Sequence, residues 1–96
     1  MNDQEENIFA ELAKALGHPA RLRIMSFLAK QKTCICSPIV EEIGLAQSTV
    51  SQHLKILKET GWIQGTVEGN KVCYCLNPET IDLYHRYSNT FFTTLK

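Results

Sequence analysis

The chain has 96 residues, 44 % of them hydrophobic and 21 % charged, and its ten Lys and Arg balance ten Asp and Glu. That excludes a disordered tail and a strongly basic nucleic-acid coat, and the apolar runs are too short to cross a bilayer. The acidic opening Met1-Asn2-Asp3-Gln4-Glu5-Glu6 carries no secretory signal, so the expectation is a cytoplasmic chain whose thiols stay reduced.

The zero sum hides a pattern. Residues 1–11 carry four acids and no base, whereas residues 12–40 carry five bases and no acid. Binding to nucleic acid depends on such local fields rather than on the total. A single domain this short buries about 60–70 % of its unfolded surface, so a dimer is a reasonable way to complete its core.

Residues 3–16 have helical periodicity through Ile8, Phe9, Leu12, Ala13 and Leu16, stopped by Gly17. Pro19, with His18 as N-cap, opens a second helix to about Lys30, with Leu22, Met25 and Leu28 inward. Ser37-Pro38 predicts a short third helix over 38–43, ended by Gly44, and Gln47–Thr60 a fourth, stopped by Gly61. The period then changes to two. Residues 62–67 and 71–76 read as strands joined by Glu68-Gly69-Asn70, a hairpin turn. Asn77-Pro78 caps a last helix over 78–95, whose Ile81, Tyr84, Tyr87, Phe91, Phe92 and Leu95 form a stripe suited to a subunit interface.

A short helix, a tight turn, a second helix and a hairpin is the winged helix-turn-helix order, within one domain spanning 1–96. The class is mainly α with a small β-hairpin (α-α-(β)-α-α-β-β-α), with the helix-turn-helix at about 38–60 and the wing at 62–76. On the fourth helix Val50, Leu54 and Leu57 share one face, while Ser48, Gln52, Lys55 and Glu59 take the other. Short polar groups near its N-terminus and lysines further along suit entry into the major groove, bases first and phosphates after. A merely solvated amphipathic face is the plain alternative.

Three blocks make the likeness specific: Ala15-Leu16-Gly17-His18-Pro19-Ala20-Arg21-Leu22-Arg23-Ile24, Leu45 through Leu57, and Gly69-Asn70-Lys71-Val72. Together they resemble the ArsR/SmtB family of small homodimeric repressors, which leave DNA on binding metal or metalloid or on thiol modification. The resemblance implies DNA contacts from Gln47, Ser48, Thr49, Ser51, Gln52 and His53, a wing contact from Lys71, and a homodimer through the first and last helices (about 3–16 and 78–95). His53 lies beside the buried face of its helix, so a packed, hydrogen-bonded histidine is the equal alternative. Three positions depart from the family pattern: Ala46 replaces a capping serine, His18 an acidic cap, and the wing is poor in arginine.

All four cysteines stand in Cys-x-Cys pairs, Cys34/Cys36 and Cys73/Cys75. A short strand over 33–36 pairing with 71–76 would place all four outward on one side, with opposed side chains about 5 Å apart. Four thiolates suit Zn or Cd, three suit As(III) or Sb(III), and two opposed thiols can form a disulfide. Small apolar strand residues are the plain alternative. The resemblance favours metal or metalloid at Cys34 and Cys36, although Ile39 stands where arsenite-responsive members often place a third cysteine. Asp82 and His85 read as helix surface.

The reading is thus a dimeric repressor that binds double-stranded operator DNA and is released by a thiophilic effector, with no membrane partner and no catalytic site. The alternatives are a redox or persulfide sensor on the same DNA-binding frame, and a winged-helix interaction module.

Overall fold

The computed structural model of the chain describes residues 1–31, 33–36 and 39–96. Five helices and one hairpin follow in the expected order: α1 Asp3–Leu16, α2 Pro19–Ala29, α3 Val40–Ile43, α4 Gln47–Glu59, β1 Ile63–Glu68, β2 Lys71–Leu76 and α5 Pro78–Thr94. The Ser37-Pro38 start expected for the third helix lies outside the described residues.

Local chemistry accounts for most boundaries. Asn2 and Glu5 form a reciprocal capping box at the start of α1. His18 caps α2 as the Ala20 N–H donates to its Nδ1 at 3.1 Å, with Pro19 in the first turn. α3 ends at Gly44 in the left-handed region, φ 74°. At α5, Asn77 accepts from the Glu79 N–H.

The core is one cluster at the junction of α1, α2, α3, α4 and the base of the hairpin, where Ile24, Val50, Leu57, Trp62 and Ile63 are buried. The Trp62 indole N–H donates 3.0 Å to the carbonyl of Leu12, fifty residues away, and so ties the hairpin base to α1. β1 and β2 are antiparallel, with Ile63 opposite Leu76, Thr66 opposite Cys73 and Glu68 opposite Lys71. Their inner face carries Ile63, Tyr74 and Leu76 toward the helices, while the outer carries Gln64, Thr66, Glu68, Lys71, Cys73 and Cys75.

The segment before α3 joins this sheet more weakly than a strand would. Among the described residues, Ile35 alone in this segment bridges the sheet, meeting Tyr74 through two reciprocal backbone bonds of 2.8 and 2.9 Å. Leu22, expected inside, is 50 % exposed on α2, and Val72 is 41 % exposed at the hairpin. Leu22 lies on the rim of its helical stripe, and the outer half of the hairpin extends beyond the helices. Among the described residues, no helix is long and apolar enough to cross a membrane.

Candidate DNA interface and thiol patch

α4 is anchored by Val50, Leu54 and Leu57, which share one face and lie in the core. That packing turns Gln47, Ser48, Thr49, Ser51, Gln52 and Lys55 into solvent along the opposite side. α4 begins without a side-chain cap, because Ala46 has no oxygen to offer its first turn. A capping serine would stabilise such a start by about 0.5–2 kcal/mol. Lys55 and Glu59 stand one turn apart at 3.9 Å, an exposed pair that contributes little to stability. Lys71 is exposed at the start of β2, beside the turn at Gly69 (φ 64°). Between α4 and β2 runs an open cleft of about 440 Å³, rimmed by Gln47, Ser51 and Lys71 and floored by Val50, Leu54 and Tyr74.

His53 does not belong with these residues, which corrects its place among the DNA contacts. It is 8 % exposed, and its ring packs 4.4 Å from that of His18, in the seam between α4 and α2. The reason is helical geometry: three residues after Val50 and one before Leu54, it falls on the inward side. The expected hydrogen bonds are missing as well, since neither ring nitrogen has a partner among the described residues. Burial pushes its pKa below the ordinary histidine value, helped by the nearby His18 and Arg21.

The cysteines meet as the strand geometry predicts, with one difference. The Ile35–Tyr74 pair exchanges both backbone bonds, so the rungs on either side are the close, non-hydrogen-bonded kind. Those rungs are Cys34 opposite Cys75 and Cys36 opposite Cys73, with Cα–Cα separations of 4.5 and 4.0 Å, and both pairs are joined as disulfides. The difference is burial. Cys34 and Cys36 are exposed as expected, Cys75 is half-buried, and Cys73 is only 1 % exposed because its rung partners cover it.

One further residue reaches this patch and escapes a reading of the cysteines alone. A carboxylate oxygen of Glu68 and the sulfurs of Cys36 and Cys73 all lie within 4.8 Å of one another. Glu68 lies two residues beyond Thr66, the partner of Cys73, and therefore on the same face. The hairpin register was the signal that could have found it.

Away from α4 and the hairpin tip, α1 and α5 pack through aromatic rings, with Phe9 5.2 Å from Tyr84 and 5.5 Å from Phe91. Beyond them Phe92 and Leu95 stay 58 % and 63 % exposed.

Comparison with known proteins agrees with this architecture. The sequence profile described as "Bacterial regulatory protein, arsR family" matches residues 18–64, which run from the α2 cap through α4 to β1. The chain is 43 % identical over 61 residues to an uncharacterised HTH-type transcriptional regulator, MJ1325 of Methanocaldococcus jannaschii, covering 62 % of this chain and 67 % of that one. It is 33 % identical over 88 residues to a transcriptional repressor SmtB homolog of Synechocystis, covering 91 % of this chain and 65 % of that one. The NMR structure of the cadmium metal-sensor CMTR from Mycobacterium tuberculosis superposes with a TM-score of 0.58 at 37 % identity, over 71 % of this chain and 70 % of that one.

Proposed function

Because the chain belongs to the arsR family of bacterial regulatory proteins, a family of transcriptional regulators rather than enzymes, we propose that it is a homodimeric repressor whose hold on its operator is set by the state of its four cysteines. The observation that carries this reading is the pairing of Cys34 with Cys75 and of Cys36 with Cys73 across adjacent close rungs. These two links tie the segment entering the helix-turn-helix to the second strand of the wing. Opening or closing them changes how firmly α3 and α4 are held against the hairpin, and hence the placement of the reading face.

In this reading Gln47, Ser48, Thr49, Ser51 and Gln52 meet base edges, while Lys55 and Lys71 meet phosphates. All are exposed on the α4 and wing side of the molecule. The second copy packs on the α1–α5 aromatic face, where Phe92 and Leu95 stand uncovered. Two recognition helices then span half-sites about 34 Å apart. Reduction breaks each sulfur–sulfur bond, two electrons and two protons converting one disulfide into two thiols. In a reducing cytoplasm such bonds are transient and sensory rather than structural.

A second reading uses the same sulfurs as thiolates for a soft cation, Zn or Cd, or for As(III) or Sb(III). The similarity to the cadmium metal-sensor favours it.

The test is binding to the DNA upstream of the chain's own gene, followed by fluorescence anisotropy for the oxidised and the dithiothreitol-reduced, metal-free protein. Coupling between two sites is typically 1–3 kcal/mol, so affinity should differ between the forms by about 5- to 150-fold. The variant with all four cysteines changed to serine should bind DNA with no response to oxidant. Equal affinity of the two wild-type forms refutes the redox reading.

A further inference from the structure

We propose that, once reduced, the chain holds one soft divalent cation of the zinc–cadmium class on Cys36, Cys73 and Glu68, rather than on the four cysteines together. The inference deepens the soft-cation reading of the thiol patch and assigns a ligand, Glu68, that the cysteine pattern does not reveal.

The geometry separates the two possibilities. Donors on one tetrahedral zinc-type ion, with metal–sulfur bonds near 2.3 Å and metal–oxygen bonds near 2.1 Å, sit about 3.6–3.8 Å from each other. A Glu68 oxygen lies within 4.8 Å of both the Cys36 and Cys73 sulfurs, so once reduction breaks the bond between those sulfurs, their moving apart to the donor spacing gathers all three groups at one corner. The Cys34–Cys75 rung lies two residues further along both segments. Same-face Cα atoms at that spacing are about 6.5–7 Å apart along a strand, and the Cys34 and Cys75 sulfurs fall outside the group gathered within 4.8 Å. A four-sulfur site would need the side chains of both rungs to lean toward each other, whereas the three-donor site draws on groups already at one corner.

Charge and accessibility agree. Two thiolates and a carboxylate place three negative charges around a dication, and Lys71, across the rung from Glu68, offsets the excess. Cys36 and Glu68 are exposed while Cys73 is buried, so an ion can enter from one side and leave one position for water. The three donors come from the segment ahead of α3, from β1 and from β2. The ion therefore clamps the entrance of the helix-turn-helix to both strands of the wing, whereas each disulfide reaches only β2.

The experiment titrates Cd²⁺ into protein reduced with a phosphine and kept anaerobic, following the ultraviolet sulfur-to-cadmium charge-transfer band and the ¹¹³Cd resonance, whose shift reports the number of sulfur donors. The expected result is one tight ion per chain with a two-sulfur signature. The double variant C34S/C75S should keep it with affinity within about threefold. E68Q, a change at an exposed position, should weaken it by about tenfold or more, and C36S or C73S should abolish tight binding, since each removes a ligand on which affinity depends. A four-sulfur resonance, loss of the ion in C34S/C75S, unchanged affinity in E68Q, or no binding by the reduced wild type would each overturn the proposal. The redox reading is judged separately, on operator binding by metal-free protein, so one can fail while the other stands.

Discussion

Replacing His53 by leucine should make the protein more stable while leaving it able to bind its operator. The imidazole is 8 % exposed, and both of its nitrogens lack partners among the described residues. A buried polar group left unsatisfied costs about 1–3 kcal/mol, whereas an apolar residue of similar volume carries no such penalty. His53→Leu should therefore gain about 1–2 kcal/mol in chemical denaturation, with part of the full penalty offset by imperfect packing. In a chain of this length that corresponds to a Tm rise of about 4–8 °C per kcal/mol.

The acid response follows from the same residue. Around His53 stand His18 and Arg21 of α2, and Glu11 and Lys14 of α1 line the neighbouring hollow with Arg21, Ile56 and Thr60. The folded-state pKa is lowered first by burial, then by His18 and Arg21. Between that value and the ordinary value near 6.5, the unfolded chain binds the additional proton, so stability falls as pH falls. The contribution of the neutral ring is fully present above about pH 6.5 and is lost as the pH drops through the folded value. His53→Leu should flatten this slope below pH 6.5. Operator affinity at neutral pH should change less than about threefold, because base contacts worth 1–3 kcal/mol would cost about fivefold or more. A lower Tm, an unchanged acid slope, or a large loss of DNA binding would refute the reasoning.

Four further substitutions have expected outcomes. Trp62→Phe removes the pyrrole part of the buried indole, leaving a void in the core and the Leu12 carbonyl without its 3.0 Å donor, which should cost about 2–4 kcal/mol in urea unfolding. Lys71→Ala should weaken binding evenly across DNA sequences and lower the salt slope by about one, while Gln52→Ala should relax discrimination at one base position, both read by competition titration at several salt concentrations. Phe92→Glu places a charge on the exposed end of α5. It should shift sedimentation toward monomer and abolish tight operator binding, with circular dichroism unchanged.

The residue pattern by itself determined the order of elements, several of their caps and which side of α4 faces solvent. Each of those depends on neighbours within one or two turns: Gly17 and Pro19 around His18, Gly44 after the short third helix, and the spacing of Val50, Leu54 and Leu57. It also placed two Cys-x-Cys pairs on facing segments, because a period of two says which side chains share a face. The tertiary structure decided what depended on register and depth. His53 falls on the inward edge of α4, and the packing of α2 against α4 decided that its ring lies in the seam beside His18. Leu22 falls outside because it lies on the rim of the α2 stripe, where no other element packs over it among the described residues. The partners of the sulfurs were settled by a single bridge at Ile35, which aligns Cys36 with Cys73 and, through the hairpin register, brings Glu68 to the same corner. Local periodicity says which way a side chain points, and only the packed fold says what it meets there.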